Sequence, residues 1–136
     1  MTTTLLYRTA AVLLLLFALG HQLGFRRVDP AWGIDQFVGG LKQTRFEVQG
    51  ATRTYWGFYA GFGFFVTILL VFSAILAWQL GAMPAELLAT LRFLRWAFAA
   101  CYVLIAIMTW RYFFVAPTVF AVLVAIVLAS AAWRSV

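Results

Sequence analysis

The sequence has little charge and almost no cysteine for its length. Only 10% of the 136 residues are charged and 65% are hydrophobic, whereas soluble domains carry about 25% charged residues. This composition excludes a water-soluble globular domain, and the length leaves no room for a soluble catalytic domain beside a membrane part. The single cysteine, Cys101, excludes an intrachain disulfide. Its place within an apolar run predicts a small packing side chain.

Acidic residues are also scarce. Four Asp and Glu stand against ten Lys and Arg, which gives a net charge of +6. In a soluble chain this excess would suggest a nucleic-acid partner. Here the basic residues occur singly or in pairs beside apolar runs, a pattern typical of side chains that anchor helices at a bilayer surface. We therefore expect the lipid bilayer as a partner and no nucleic acid.

Four apolar runs are long enough to cross a bilayer, which takes about 20 helical residues. They cover approximately residues 5–25, 55–80, 91–113 and 117–133. In lipid every backbone polar group must be satisfied internally, so long runs without alternating polarity are helices. Gly81 and Pro84 break the chain after the second run, and Pro117 marks the break before the fourth. The sequence predicts one all-α integral membrane domain, an antiparallel bundle of four transmembrane helices.

The first span is compatible with two interpretations. Arg8, the apolar residues 10–19 and the small residues Ala18 and Gly20 together are typical of a signal peptide with a cleavage site. We expect instead an uncleaved anchor that leaves both termini in the cytoplasm. Basic residues give little further guidance on orientation, because four lie on one side of the membrane and six on the other.

Residues 26–54 form the main segment outside the spans. Apolar residues recur in it at near-helical spacing: Ile34, Phe37, Val38, Leu41 and Val48. Asp29 followed by Pro30 is a typical helix start. The segment therefore predicts a short amphipathic helix on the membrane surface between the first two spans. Its simplest role is a lid without chemistry of its own.

Alternation of the spans brings polar residues together at one membrane face. We identify as candidate ligand-binding residues His21, Gln22, Tyr55, Trp56, Tyr59, Arg111 and Tyr112. His21 lies about 6 Å inside the end of its span, a depth at which ionisable side chains usually face the bundle interior. It could hydrogen-bond between two helices, contact a ligand or cofactor, or transfer a proton. The basic residues of the opposite face, Arg92, Arg95 and Arg134, have the pattern of ordinary anchors.

Small residues at four-residue spacing predict where helices pack closely. They are Gly20 and Gly24 in the first span, Gly57 and Gly61 in the second, and Ala121, Ala125 and Ala129 in the fourth. Phe58, Phe62 and Phe65 share one face of the second span. We expect this face to belong to the bundle core, although it could also contact lipid or line a pocket.

Familiar catalytic and metal-binding patterns do not occur in the sequence. The one histidine and one cysteine lie on different spans, so no metal site is expected. No cofactor is expected either; a haem with two axial histidines would require a symmetric dimer that shares it through two copies of His21. His21 could form an acid–base pair with Glu47 or Asp35 if the surface segment folds onto the bundle.

A family resemblance rests on three stretches of the chain. They are Gly20-His21, the aromatic and glycine-rich residues 55–63 (YWGFYAGFG), and Trp78-Gln79-Leu80. Over roughly residues 17 to 81 the chain resembles a family of short four-span bacterial membrane proteins of unassigned function. In size and span count it is also similar to DoxX-like membrane proteins. The resemblance implies a bacterial inner-membrane location and a four-helix fold, and it implies no activity.

Three functions fit these observations. The chain could bind an apolar ligand such as a lipid, quinone or isoprenoid between its helices, with the ligand's polar head at the His21, Tyr59 and Arg111 end. It could instead be an accessory or structural subunit of a larger membrane complex that packs through its glycine and alanine strips. The chain could likewise form a homo-oligomer. It could also be a small membrane enzyme that uses His21 with Glu47 or Asp35. We favour the binding protein, because four spans are enough to form a pocket and no catalytic constellation is visible.

Overall fold

The computed structural model describes residues 2–135. Its four long helices are α1 (Thr3–Gly24), α3 (Tyr55–Leu80), α5 (Arg92–Tyr112) and α6 (Val115–Arg134). Each is long and apolar enough to cross a membrane. The predicted fold class is confirmed: the chain is an all-α, multi-pass membrane protein, and each span ends within two residues of its predicted limit.

The main contacts between the spans give the spatial order α3–α1–α6–α5, and Tyr102 of α5 also lies within hydrogen-bond reach of Ser73 of α3. Helix α1 contacts both α3 and α6, and α6 also contacts α5. Fully buried side chains of the core include Leu14 of α1 and Leu128 of α6. Ala121 and Ala125 are buried in the same core, and Ala129 packs against it. Small side chains there allow close approach of the backbones, which stabilises helix pairs in lipid.

The surface segment contains more elements than the sequence pattern predicts. A 3₁₀ turn (Pro30–Trp32) is followed by α2 (Asp35–Gln43) and by a hairpin of β1 (Phe46–Val48) and β2 (Ala51–Arg53). Asp29 caps the 3₁₀ turn rather than α2, and Gly33, with φ of 64°, separates the two. The predicted helix is therefore shorter than expected, and Val48 belongs to a strand.

A two-residue turn explains the unexpected hairpin. Gln49 and Gly50 both have positive φ, at 50° and 77°. This is the backbone of the type I′ turn, whose twist matches that of the two strands it joins.

The structure adds one short helix to the prediction and moves the start of the last span. Residues Ala85–Thr90 form a separate short helix, α4, which breaks at Leu91 before α5 begins. Helix α6 begins at Val115, so Pro117 lies in its first turn and not in the preceding break. Proline is tolerated there because the first N–H groups of a helix have no intrahelical partner.

The aromatic face of α3 lies on the outside of the bundle. Phe62 and Phe65 are 71% and 59% exposed, and Phe58 is exposed too. The expectation that this face belongs to the core is therefore wrong, and Cys101 is likewise exposed rather than packed. Lipid tails are as apolar as a protein core, so an apolar pattern does not distinguish a face that packs from one that contacts lipid.

The predicted glycine strips do not lie at helix contacts within the chain. A Cβ at Gly20, Gly24 or Gly61 would meet nothing within 4 Å, and one at Gly57 would meet only the hydroxyl of Thr54. Close packing between α1 and α3 depends instead on Gly63, where a Cβ would overlap the Phe25 ring. The four-residue spacing identifies small residues, but it does not determine which of them face a neighbouring helix.

Candidate functional site

His21 lies at the interface of α1 and α3. It is half-buried, and its Nδ1 is 3.0 Å from the hydroxyl oxygen of Thr67 in α3. The same hydroxyl is 3.2 Å from Oε1 of Gln22 and 3.2 Å from the carbonyl oxygen of Gly63. One hydroxyl of α3 therefore joins two polar side chains of α1.

The single proton of the Thr67 hydroxyl limits which hydrogen bonds can form in this cluster at the same time. A threonine hydroxyl has one proton to donate and two lone pairs to accept with. When that proton goes to Gln22 or Gly63, the hydroxyl can accept a hydrogen bond from Nδ1–H of His21. The neutral imidazole then keeps its Nε2 as an acceptor. Thr67, which lies on α3 one turn beyond Gly63, was not among the predicted site residues.

Phe25 packs against the cluster from the end of α1. Its ring stacks on the His21 imidazole with centroids 5.0 Å apart and meets the Phe64 ring edge-on at 5.5 Å. The guanidinium of Arg26 lies 5.1 Å from the Phe25 ring and 5.0 Å from the Phe64 ring. The absent side chain of Gly63 makes room for Phe25. Aromatic rings therefore fill the space between α1 and α3 at this end.

Tyr59 satisfies a backbone group at the end of α1. Its hydroxyl donates a hydrogen bond to the carbonyl oxygen of Phe25, one of the carbonyls that a helix C-terminus leaves without an intrahelical partner. Its ring lies 5.4 Å from the Trp56 ring, while Tyr55 packs against Phe46 of the hairpin. These aromatic side chains at the start of α3 therefore contact both the surface segment and the end of α1.

Four of the predicted site residues lie apart from His21. Arg111 and Tyr112 are exposed at the end of α5 and contact each other, with the guanidinium 5.7 Å from the ring. Helix α5 packs mainly against α6, and in the described part of the chain no hydrogen bond or ring contact joins Arg111 or Tyr112 to His21. Glu47 accepts a hydrogen bond from Thr52 within the hairpin, and Asp35 lies in the first turn of α2. Within residues 2–135 no hydrogen bond or ion pair joins either acid to His21.

An open groove of about 490 Å³ lies beside this cluster. It lies where the C-terminal end of α1 and the first part of the surface segment face Phe114, the residue before α6. Its lining is mainly apolar, with one cation and one acid, and consists of Gly24, Arg27, Val28, Asp29, Trp32 and Phe114. Ligand sites are typically concave, largely apolar and about 300 to 1,000 Å³ in volume, with a few polar groups that orient the ligand.

The opposite end of the bundle contains a buried cation. Arg95 is 2% exposed, and its Nη1 donates hydrogen bonds to the carbonyls of Ala132 and Ser135 at 3.2 and 2.7 Å. Tyr7 of α1, 1% exposed, lies beside it. The interpretation of Arg95 as an ordinary anchor is wrong, because it binds the C-terminal carbonyls of α6. Such carbonyls lack intrahelical partners and favour a cation.

A comparison with known protein families, with curated proteins and with solved structures finds no match for this chain.

Proposed function

We propose that the chain binds an amphiphile, such as a lipid, quinone or isoprenoid, in the groove between α1 and α6. The observation that carries this proposal is the mainly apolar lining of the groove together with its single cation and single acid. Trp32, Val28 and Phe114 offer contacts for an apolar tail or ring. Arg27 and Asp29 offer hydrogen bonds to a polar head at the membrane surface.

The position of the groove supports an amphiphile over a wholly polar ligand. The groove begins where α1 ends and α6 starts, so it lies at the level where the apolar spans meet the lipid headgroups. Trp32 is 61% exposed and comes from the 3₁₀ turn that covers the groove. Tryptophan prefers this interfacial depth because its ring is amphipathic.

Gly24 provides a sharp test, because it lines the groove and a Cβ there would meet no other atom. Gly24→Leu places an apolar side chain in the groove, and its Cβ meets no other atom of the chain. Gly20→Leu is the matched control: it lies one turn earlier on α1, is equally open, and does not line the groove. Each protein is purified in mild detergent and examined by native mass spectrometry and optical absorption, then titrated with decylubiquinone and with oleic acid.

We expect the wild type and Gly20→Leu to retain an adduct or bind one of the probes, and Gly24→Leu to lose at least tenfold in affinity. An optical spectrum distinguishes quinone or haem from colourless lipid. Equal binding by both variants, or no binding by the wild type, would overturn the proposal.

A role as an accessory subunit is the second candidate. The observation that favours it is the open space at Gly20 and Gly61 on the outer faces of α1 and α3, where another membrane helix could approach closely. Gly61→Leu is then expected to dissociate an assembly seen on native gels while leaving the stability of the chain unchanged. A monomer in both proteins would remove this candidate.

For the membrane itself, we propose the bacterial inner membrane with both termini cytoplasmic, as the resemblance and the anchor interpretation of α1 imply. A reporter active only in the periplasm, fused after residue 136, is expected to be inactive. An active reporter would reverse the orientation.

A further inference from the structure

A second pocket, of about 310 Å³, lies beside the N-terminus of α3. Its lining comes from α2, the following loop, β2 and the first turn of α3, and consists of Lys42, Arg45, Thr52, Arg53, Thr54 and Gly57. Three of these six residues are cations and none is an acid. It shares no residue with the apolar groove between α1 and α6.

Two of the three cations are held by contacts within the protein. The Lys42 ammonium lies 4.5 Å from the centre of the Trp56 ring. The Arg53 guanidinium donates a hydrogen bond to the carbonyl of Thr52 at 2.8 Å. A cation that is already positioned loses less conformational freedom when a ligand binds.

The charge around the pocket stays positive when its acidic neighbour is included. Glu47 accepts a hydrogen bond from Thr52, so its carboxylate lies near the rim and offsets one of the three cations. The N-terminus of the 26-residue helix α3 adds partial positive charge on the same side. Together these charges favour an anion.

We propose that this pocket binds a phosphate group. Arginine guanidinium groups and lysine ammonium groups are the usual donors to phosphate oxygens. The pocket lies at the level where α3 leaves the membrane, beside Tyr55 and Trp56, which is the depth of lipid headgroup phosphates. The phosphate therefore comes either from an anionic lipid or from a soluble phosphorylated molecule that reaches the same surface.

The test compares two pairs of substitutions that remove the same charge. Arg45→Gln with Arg53→Gln changes the pocket, whereas Arg26→Gln with Arg92→Gln changes two exposed cations outside it. The full-length protein is titrated in a neutral detergent with phosphatidic acid, with phosphatidylcholine and with inorganic pyrophosphate, and each Kd is measured by native mass spectrometry.

We expect the pocket pair to raise the Kd for phosphatidic acid about tenfold or more relative to the control pair, with little change for phosphatidylcholine. This result supports a lipid phosphate. If the same loss appears for pyrophosphate but not for phosphatidic acid, the site binds a soluble phosphate. Equal effects of the two pairs on every probe would show only diffuse attraction between a basic surface and anions, and would overturn the proposal.

Discussion

The two ends of the bundle accommodate polar side chains in different ways. At the α3 N-terminal end, His21 and Gln22 meet the hydroxyl of Thr67, and the residues involved are only half-buried. At the opposite end, Arg95 is almost fully buried and its partners are backbone carbonyls. Side-chain partners can rotate and exchange hydrogen bonds, whereas the carbonyls of a helix end are fixed. The hydrogen bonds at the first end can therefore rearrange, whereas those at the second hold the end of α6 in place.

The largest effect is expected at Arg95. Arg95→Met keeps the aliphatic stem but leaves the Ala132 and Ser135 carbonyls without their donor, which costs about 3 kcal/mol of unfolding free energy. Arg92→Met, at an exposed position three residues earlier on α5, is the control and is expected to change stability by less than about 0.5 kcal/mol. The unfolding free energies of both variants are measured by circular dichroism in mixed micelles with increasing dodecyl sulfate. Similar values for the two variants would contradict the distinction between the ends.

An intermediate effect is expected at Gly63. Gly63→Ala places a methyl group in the space of the Phe25 ring, and overpacking of this kind costs about 2 kcal/mol. Phe25→Leu in the same chain should restore part of the loss, since the two sites share one space. Gly61→Ala, at an open position on the same helix, should leave the stability unchanged. Absence of rescue in the double variant would show that the strain arises elsewhere.

The smallest effect is expected at Thr67. Thr67→Val removes the hydroxyl without changing the shape of the side chain, and hydrogen bonds of this kind in membrane proteins contribute about 0.6 kcal/mol. The spectroscopic effect should be clearer, because His21 is the only histidine in the chain. Its imidazole nitrogen shifts should change in Thr67→Val and remain unchanged in Thr67→Ser. An unaltered spectrum in Thr67→Val would show that the hydroxyl does not hold His21.

The sequence predicts the spans well, because length and hydropathy alone determine whether a helix crosses a bilayer. It does not predict which residues of a span face a neighbour. Gly20 and Gly61 have the spacing typical of packing, yet Gly63 makes the contact, because the opposing side chain is the ring of Phe25. Arg95 resembles an anchor in sequence, and its burial depends on the end of α6 folding back beside α5.

The contacts of the candidate site are likewise only partly predictable from the sequence. His21 and Tyr59 are recognisable from their type and depth, whereas Thr67 is an ordinary residue until α1 and α3 are paired. Arg111 shares their membrane face, but its ring contact is with Tyr112 of the same helix and not with His21 or Tyr59. The hairpin is too short for a periodic signal, and its one local sign is Gly50 after a polar residue.

The spatial order α3–α1–α6–α5 has a consequence for how the chain assembles during synthesis. The ribosome delivers α1 and α3 to the membrane first, and these two already contact each other; α5 and α6 follow as a second contacting pair. Because α1 also contacts α6, the first helix inserted keeps one face uncovered until the last helix arrives. We therefore expect two half-molecules that meet mainly between α1 and α6, and we expect a chain cut between residues 81 and 84 to reassociate there.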